Sequence, residues 1–134
     1  MINPEQRQQL IQLRLEQAEE TIRSVETNIG IGDVRTAINR IYYGMFYAVL
    51  ALALHENFQT SKHGQLQGWF NKHFVKTGIF DMSMFQMLRI AFDRRNDADY
   101  ELKPLPEPAS LDKMLQNMKT FISTIKAWLE ANPA

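Results

Sequence analysis

The sequence predicts an all-α protein, an antiparallel bundle of four to five helices. Apolar residues recur at spacings of three and four along most of the chain, which is the period of one helical face. Alternating runs of β-branched residues, which are typical of strands, are missing, and no segment repeats another. Because 134 residues suffice for one hydrophobic core, we expect a single domain over residues 1–134.

Caps and apolar faces predict the first two helices. Asn3-Pro4 joins a capping residue to a proline in the first turn, and the stripe that follows predicts a helix to about Thr27. The segment 29–32 contains two glycines and ends this helix, and Asp33 is expected to cap a second one that runs to about Glu56. The second helix is apolar on nearly every side, so we expect it at the centre of the bundle.

Similar signals predict the third and fourth helices. Ser61 is expected to cap the third, and Thr77-Gly78 closes it. Asp81 is expected to cap the fourth, which extends to about Tyr100. The buried side of the third helix is predicted to be formed by Leu66, Trp69, Phe70 and Phe74.

A proline-rich segment separates the fourth helix from the last. Lys103–Pro108 cannot be helical and is expected to be a stiff, extended connector. Ser110 then begins an amphipathic helix. Its apolar residues are Leu111, Leu115, Met118, Phe121, Ile122, Ile125 and Leu129.

Composition excludes several classes of protein. Lys plus Arg equals Asp plus Glu at 15 each, so no net positive field indicates a nucleic-acid surface, and local patches must carry any such binding. With no Cys and no close pair among the three His residues, we expect neither a metal site nor a cofactor. The continuous apolar run 45–54 is shorter than the ~20 residues of a membrane span, so we expect a cytoplasmic protein.

The most informative feature is an ionisable cluster at the end of the fourth helix. One helical face runs from Phe85, Leu88 and Phe92 directly into Arg95 and Asp99. Charges carried toward an interior are costly unless they are paired or stand at a cleft. The cluster is therefore either a structural ion pair or a functional site.

The second helix carries a matching polar strip of Thr36, Arg40, Tyr43 and Tyr47. In the bland interpretation Arg40 extends to solvent and the tyrosines pack with their hydroxyls at the rim. In the functional interpretation Arg40 and the fourth-helix arginine form an anion site suited to phosphate. Gly44 stands beside the strip and predicts that some other group approaches closely there.

Two further segments have open interpretations. Lys62-His63-Gly64 stands at the start of the third helix, where free N–H groups and the helix dipole favour an anion, although His63 is otherwise a plain surface residue. Met82, Met84 and Met87 suit either an adaptable interface or core packing.

Three motifs together resemble those of the HEPN family. They are the run Asn-Arg-Ile-Tyr-Tyr-Gly-Met-Phe-Tyr-Ala at 39–48, Lys62-His63-Gly64 with the later 74–78 segment, and Arg95-Asn96-Asp97-Ala98-Asp99-Tyr100. Their order and spacing are similar to those of short stand-alone prokaryotic HEPN proteins that are often encoded beside a minimal nucleotidyltransferase. The resemblance covers roughly residues 7 to 130.

The resemblance implies a homodimer that brings two fourth-helix motifs into one cleft. Many HEPN proteins are metal-independent ribonucleases that act as toxins, with the nucleotidyltransferase as antitoxin. Their signature is Arg, four to six residues, then His, whereas here Arg94 is followed at that distance by Asp99. An imidazole acts as base or acid near pH 7, but a carboxylate there is a poor acid. Related toxins are silenced by AMP transfer to a tyrosine near this motif, which makes Tyr100 the expected acceptor.

Two classes of function follow. The first is a nucleotide- or RNA-binding HEPN protein that works with a nucleotidyltransferase in a toxin-antitoxin-like or stress-response module, with Arg95, Asp99 and Tyr100 as catalytic candidates if it cleaves RNA. The second is a non-catalytic interaction module in which the ion pair only fixes helix packing. The ligand-binding candidates of the first class are Arg40, Tyr43, Lys62, His63, Arg94 and Asn96.

Overall fold

Five helices make up the computed structural model of the protein, which describes residues 2–133. They are α1 (Pro4–Gly30), α2 (Val34–His55), α3 (His63–Phe70), α4 (Met82–Asp99) and α5 (Pro108–Ala131). α3 continues into a π-helical turn at Asn71–Val75. No strand occurs in the part of the chain that the structure describes, and the predicted all-α fold is confirmed.

The predicted caps of α1, α2 and α4 are present. The Asn3 side chain accepts a hydrogen bond from the backbone N–H of Gln6 at 2.7 Å, and the Gln6 side chain accepts one in return, which forms a capping box. Asp33 accepts from the N–H of Thr36 at 3.2 Å. Asp81 caps α4 in the same way, by accepting from the N–H two residues later at 2.9 Å. Each helix start is therefore fixed by its own sequence.

α1 is longer than predicted. It ends at Gly30 instead of about Thr27, because the chain reverses only at Gly32, whose φ of +75° is in the left-handed region that glycine adopts at little cost. The link between α1 and α2 is short, which makes these two helices an antiparallel hairpin.

Two predicted helix starts are wrong. Ser61 does not cap α3, because Lys62 is the capping residue and its own N–H donates to Thr60 Oγ1 at 3.2 Å. α5 begins at Pro108 instead of Ser110, since proline lacks the N–H that a first-turn residue does not need. The prediction that the connector is not helical is therefore wrong at Pro108, whereas the prolines before it remain outside any helix, as predicted.

α2 is the central helix, as predicted, and it packs against α1, α4 and α5. Ile41 and Val49 are 0% and 1% exposed. By length and composition alone α2 could cross a membrane, because the whole helix is longer than the continuous apolar run at 45–54 within it. However, 61% of its most apolar window is buried inside the bundle, which is typical of a core helix, so this is weak evidence for a span.

Gly44 allows the close approach that the sequence predicted. A Cβ at this position would overlap the terminal methyl group of Met118 from α5 and lie 3.3 Å from Thr21 Cγ2 of α1. Three helices therefore meet at one point of α2. The methionines of α4 are not all core residues. Met84 is 3% exposed and belongs to the core, whereas Met82 is 66% exposed and is available to an interface.

Candidate functional site

The C-terminal half of α4 holds an arginine against two tyrosine rings of α2. Arg95 Nε donates to Asp99 Oδ2 at 3.1 Å, and these side chains are 22% and 33% exposed. The guanidinium carbon of Arg95 lies 5.6 Å from the ring centre of Tyr42 and 5.3 Å from that of Tyr43. These are cation–π distances, and such contacts strengthen as the cation loses water. Arg95 is therefore partly buried between its carboxylate and the two rings.

A second arginine contacts the same platform. The guanidinium carbon of Arg40 lies 5.1 Å from the ring centre of Tyr43, and its Nε and Nη2 donate to Asn39 Oδ1 at 3.2 and 3.0 Å. An amide oxygen carries no net charge, and within residues 2–133 Arg40 has no ion pair. Asp99 offsets the charge of Arg95 alone, so the surface around Tyr43 is left with a positive charge that favours an anion.

His63 joins the cluster from the first turn of α3. Its Nδ1 lies 2.7 Å from the Tyr42 hydroxyl oxygen, and its ring stacks on Phe46 with centroids 4.4 Å apart. The His63 ring is also 5.9 Å from that of Tyr43. Partial burial, and then the positive charge of Arg95, lower the pKa of His63 below its usual 6.5. His63 is therefore neutral near pH 7.

Behind His63, a chain of polar groups leads from the buried Tyr42 and Gln67 to the exposed Arg89 of α4. Gln67 is 3% exposed and donates from Nε2 to the Tyr42 hydroxyl at 3.2 Å. Arg89 donates from Nη1 to Gln67 Oε1 at 2.9 Å and pairs with Asp93 at 3.4 Å. Burial raises the pKa of Tyr42 to about 12, although the hydrogen bond from Gln67 opposes this. Tyr42 thus keeps its proton at any physiological pH.

The other predicted site residues lie around this cluster. Tyr100 is the residue after the last turn of α4 and is 73% exposed. Arg94 is exposed and lines a separate pocket beside the proline-rich connector. Lys62 is exposed just before α3, and Asn96 is half-buried, with its backbone C=O accepting from the N–H of Tyr100 at 3.1 Å. The structure therefore brings together Arg40, Tyr43, His63, Arg95 and Asp99.

Sequence reasoning missed the residues that support the cluster. Arg89 stands at the same spacing of three that links Phe92 to Arg95, so the polar face could have been extended by one step. Gln67 interrupts the apolar side of α3, and a polar residue in such a place needs a buried partner. Arg35 had no local signal; it donates to the Ala98 carbonyl oxygen and so holds the end of α4 against α2.

No group of three or more His, Asp or Glu side chains among residues 2–133 is arranged to hold a metal ion. The cluster itself presents two guanidinium groups, a carboxylate, an imidazole and aromatic rings.

The family model of the HEPN domain matches residues 11–128 of the sequence. This chain belongs to the HEPN family. The resemblance stated from the motifs is thus confirmed, and within this HEPN chain the matched region contains the whole cluster around Tyr43.

Curated relatives of this HEPN chain come from archaea and bacteria. A protein of Methanocaldococcus jannaschii, named as a candidate toxin, is 30% identical over 115 residues, which cover 86% of this chain and 78% of the relative. A UPF0332 protein of Thermotoga maritima is 34% identical over 99 residues, covering 73% and 69%. A UPF0332 protein of Pyrococcus horikoshii is 26% identical over 113 residues, covering 84% and 74%.

Proposed function

We propose that this protein is a nucleotide- or RNA-binding HEPN protein of a toxin-like module that works with a nucleotidyltransferase in the cytoplasm. The observation that carries the proposal is the pair of guanidinium groups, from Arg40 and Arg95, on the same tyrosine ring beside His63. The toxin-like part is supported by family membership and by the name of the M. jannaschii relative.

Phosphate is the ligand chemistry that this arrangement suits best. A guanidinium group donates two parallel hydrogen bonds to a phosphate. Two guanidinium carbons lie 5.1 and 5.3 Å from the centre of the Tyr43 ring, and their positive charges together favour an anion. Arginine guanidinium planes are also surfaces on which a base can stack. A bound nucleotide therefore suits this pair of arginines through its phosphate and through its base.

Replacing one arginine tests the binding proposal. We expect Arg95→Gln to weaken binding of a labelled single-stranded RNA by about 10- to 100-fold at low salt, because a charged hydrogen bond is worth about 1.5 to 3 kcal/mol. The slope of log K against log salt should fall by about 0.7 for one lost phosphate contact. Arg94→Gln is the matched control, since Arg94 adjoins Arg95 in the sequence but lines a different pocket.

The helical content of both variants is compared by circular dichroism. If Arg95→Gln and Arg94→Gln bind RNA as well as the wild type does, the cluster does not bind phosphate. If Arg95→Gln unfolds the protein and the wild type binds neither RNA nor nucleotide at low salt, the ion pair is structural and the interaction-module function is correct. In that case a hydrophobic pair in place of Arg95 and Asp99 should keep partner binding and raise stability.

A second function, metal-independent RNA cleavage, is favoured by the carboxylate beside Arg95. In this reaction Asp99 accepts the proton of a ribose 2′-hydroxyl, whose oxygen attacks phosphorus, and the leaving 5′-oxygen takes a proton from water. Incubation of RNA with the protein in chelator tests it. Asp99→Asn should bind RNA as well as the wild type does and lose cleavage, whereas cleavage that survives Asp99→Asn rejects this base.

Partner and assembly complete the proposal. We propose a homodimer. Light scattering at micromolar concentration tests this, and a monomer would be the contrary result.

Tyr100 is proposed as the acceptor of AMP: its oxygen attacks the α-phosphorus of ATP supplied to the nucleotidyltransferase, and pyrophosphate leaves. Its 73% exposure suits this reaction. Intact mass should increase by one AMP in the wild type and not in Tyr100→Phe, and an equal gain in both removes Tyr100 from the mechanism.

A further inference from the structure

The hydrogen bonds that connect α4 to His63 run in one direction. A guanidinium group has only donors, so Arg89 must donate to Gln67 Oε1, and the contact is 2.9 Å long. Gln67 then presents its NH2 group to the Tyr42 oxygen at 3.2 Å. The hydroxyl hydrogen of Tyr42 is directed to the one remaining neighbour, His63 Nδ1, at 2.7 Å.

The opposite direction is excluded by the same contacts. Turning the Gln67 amide would set its NH2 group against the Arg89 guanidinium, and two donors would then face each other without an acceptor. The Arg89 side chain is 44% exposed and can turn to water, but Gln67 is 3% exposed, so its NH2 group would be left without an acceptor, which is costly for a buried polar group. The buried part of the chain therefore fixes Tyr42 as the donor and His63 Nδ1 as the acceptor.

A neutral imidazole that accepts at Nδ1 carries its proton at Nε2. Nε2 of His63 makes no hydrogen bond within residues 2–133, and the residue is partly exposed. His63 and Arg95 approach the same two tyrosine rings. His63 thus carries an Nε2–H donor on a ring that shares its two tyrosine neighbours with the Arg95 guanidinium group.

We propose that His63 binds a phosphate oxygen of the ligand held by Arg95 as a neutral Nε2–H donor, with its tautomer set by the relay Arg89, Gln67 and Tyr42. The inference rests on the proposed nucleotide or RNA binding. It assigns Gln67 and Arg89 as positioning residues, and it means that His63 has no free lone pair with which to act as a base. Of the two groups, Asp99 alone is then able to accept a proton.

A neutral donor is suited to a place beside Arg95. A second full positive charge near that guanidinium would repel it, and burial, and then this repulsion, lower the pKa of His63. A fixed N–H adds a directed hydrogen bond to an anion without that repulsion, which selects for the position of the phosphate oxygen as well as for its charge.

Nitrogen-15 NMR of the histidine side chains in the full-length protein tests the tautomer directly. We expect the shifts and couplings of His63 in the wild type near neutral pH to show a protonated Nε2 and an unprotonated Nδ1. In Gln67→Leu, which keeps the side chain's volume and breaks the relay, the share of this tautomer should fall. A wild-type spectrum with the proton on Nδ1, or with both nitrogens protonated, overturns the proposal.

Binding of the same labelled single-stranded RNA tests the phosphate contact. His63→Gln places an amide N–H near the position of Nε2 and should bind within about threefold of the wild type, whereas His63→Asn is too short and should bind about 10- to 100-fold more weakly. His73→Asn, which changes an exposed histidine, should have no effect. Equal losses in His63→Gln and His63→Asn, or no loss in either, overturn the phosphate contact.

The two proposals fail in different ways. A wild-type protein that binds no RNA overturns the proposed function and the phosphate contact with it, while the spectrum still decides the tautomer. RNA binding that depends on Arg95 but not on His63 keeps the proposed function and overturns this inference.

Discussion

Replacing Tyr42 by phenylalanine removes the hydroxyl group that joins α2 to α3 and leaves its ring in place. The ring has no exposed surface and packs edge-on against Phe92 with centroids 5.3 Å apart, a contact that phenylalanine keeps. What is lost is one hydrogen bond of 2.7 Å to His63 and one of 3.2 Å from Gln67. The change in stability therefore measures the polar relay with little change in packing.

The expected loss is about 1 to 3 kcal/mol, the cost of a buried polar group without a partner. Most of it comes from Gln67, which is 3% exposed and would keep an N–H with no acceptor. His63 contributes less, because it is partly exposed and water can replace the tyrosine hydroxyl.

Urea denaturation at one fixed protein concentration measures this loss, with Tyr43→Phe as the matched control. Tyr43 is half-buried in the same helix, and its hydroxyl makes no hydrogen bond within residues 2–133, so its removal should cost less than about 0.5 kcal/mol. If the two variants lose the same stability, the relay does not hold the fold and the reasoning is refuted.

Alkaline pH gives a second measurement on the same residue. Burial raises the pKa of Tyr42 from 10.0 to about 12, so the unfolded chain loses this proton before the folded one does. The corresponding stability is fully present below pH 10.0 and is lost as the pH rises toward about 12. Tyr42→Phe should lose less stability than the wild type over this range, and parallel curves would contradict the assignment.

Two further predictions concern acid pH and helix packing. Because burial and Arg95 lower the pKa of His63 below 6.5, the unfolded chain gains the proton first as the pH falls through 6.5. The free energy of unfolding should therefore decline there. The decline should be less steep in His63→Asn, whereas His73→Asn should follow the wild type. Gly44→Ala gains about 1 kcal/mol of helix propensity and loses about 1 to 3 kcal/mol by overpacking, so it should destabilise by up to about 2 kcal/mol in thermal unfolding. A Cβ at Gly68 would have no neighbour within 4 Å, so Gly68→Ala should raise the stability. A gain in stability at both glycines would refute the close contact at Gly44.

Local signals were enough to predict the helices and the ion pair. Helical periodicity depends on side chains a few residues apart, and so does the contact between Arg95 and Asp99, which are four residues apart on one face. The errors occurred where several local solutions compete. Pro108 and Ser110 are both good helix starts, and the choice between them depends on where the extended connector ends.

The relay was beyond such reasoning, because its members are distant in the sequence. Tyr42 and Gln67 are 25 residues apart, and Gln67 and Arg89 are 22 apart. A local pattern can indicate that Gln67 needs a buried partner, but it does not say which residue that partner is. They are brought together only when α3 packs over α2 and α4, and no period within a single helix encodes that packing.

The relay also bears on the choice between a binding site and a structural link. If the only task were to join α2, α3 and α4, apolar side chains of the same volume would serve as well, because polar groups recover in hydrogen bonds roughly what they lose in leaving water. A chain of hydrogen bonds differs from apolar packing because it begins at a donor and ends at an acceptor. One end is the exposed pair of Arg89 and Asp93, and the other is the His63 ring beside Arg95. An apolar core cannot fix the tautomer of an imidazole at its edge, whereas this chain of donors does, and that favours a ligand at the edge over packing alone.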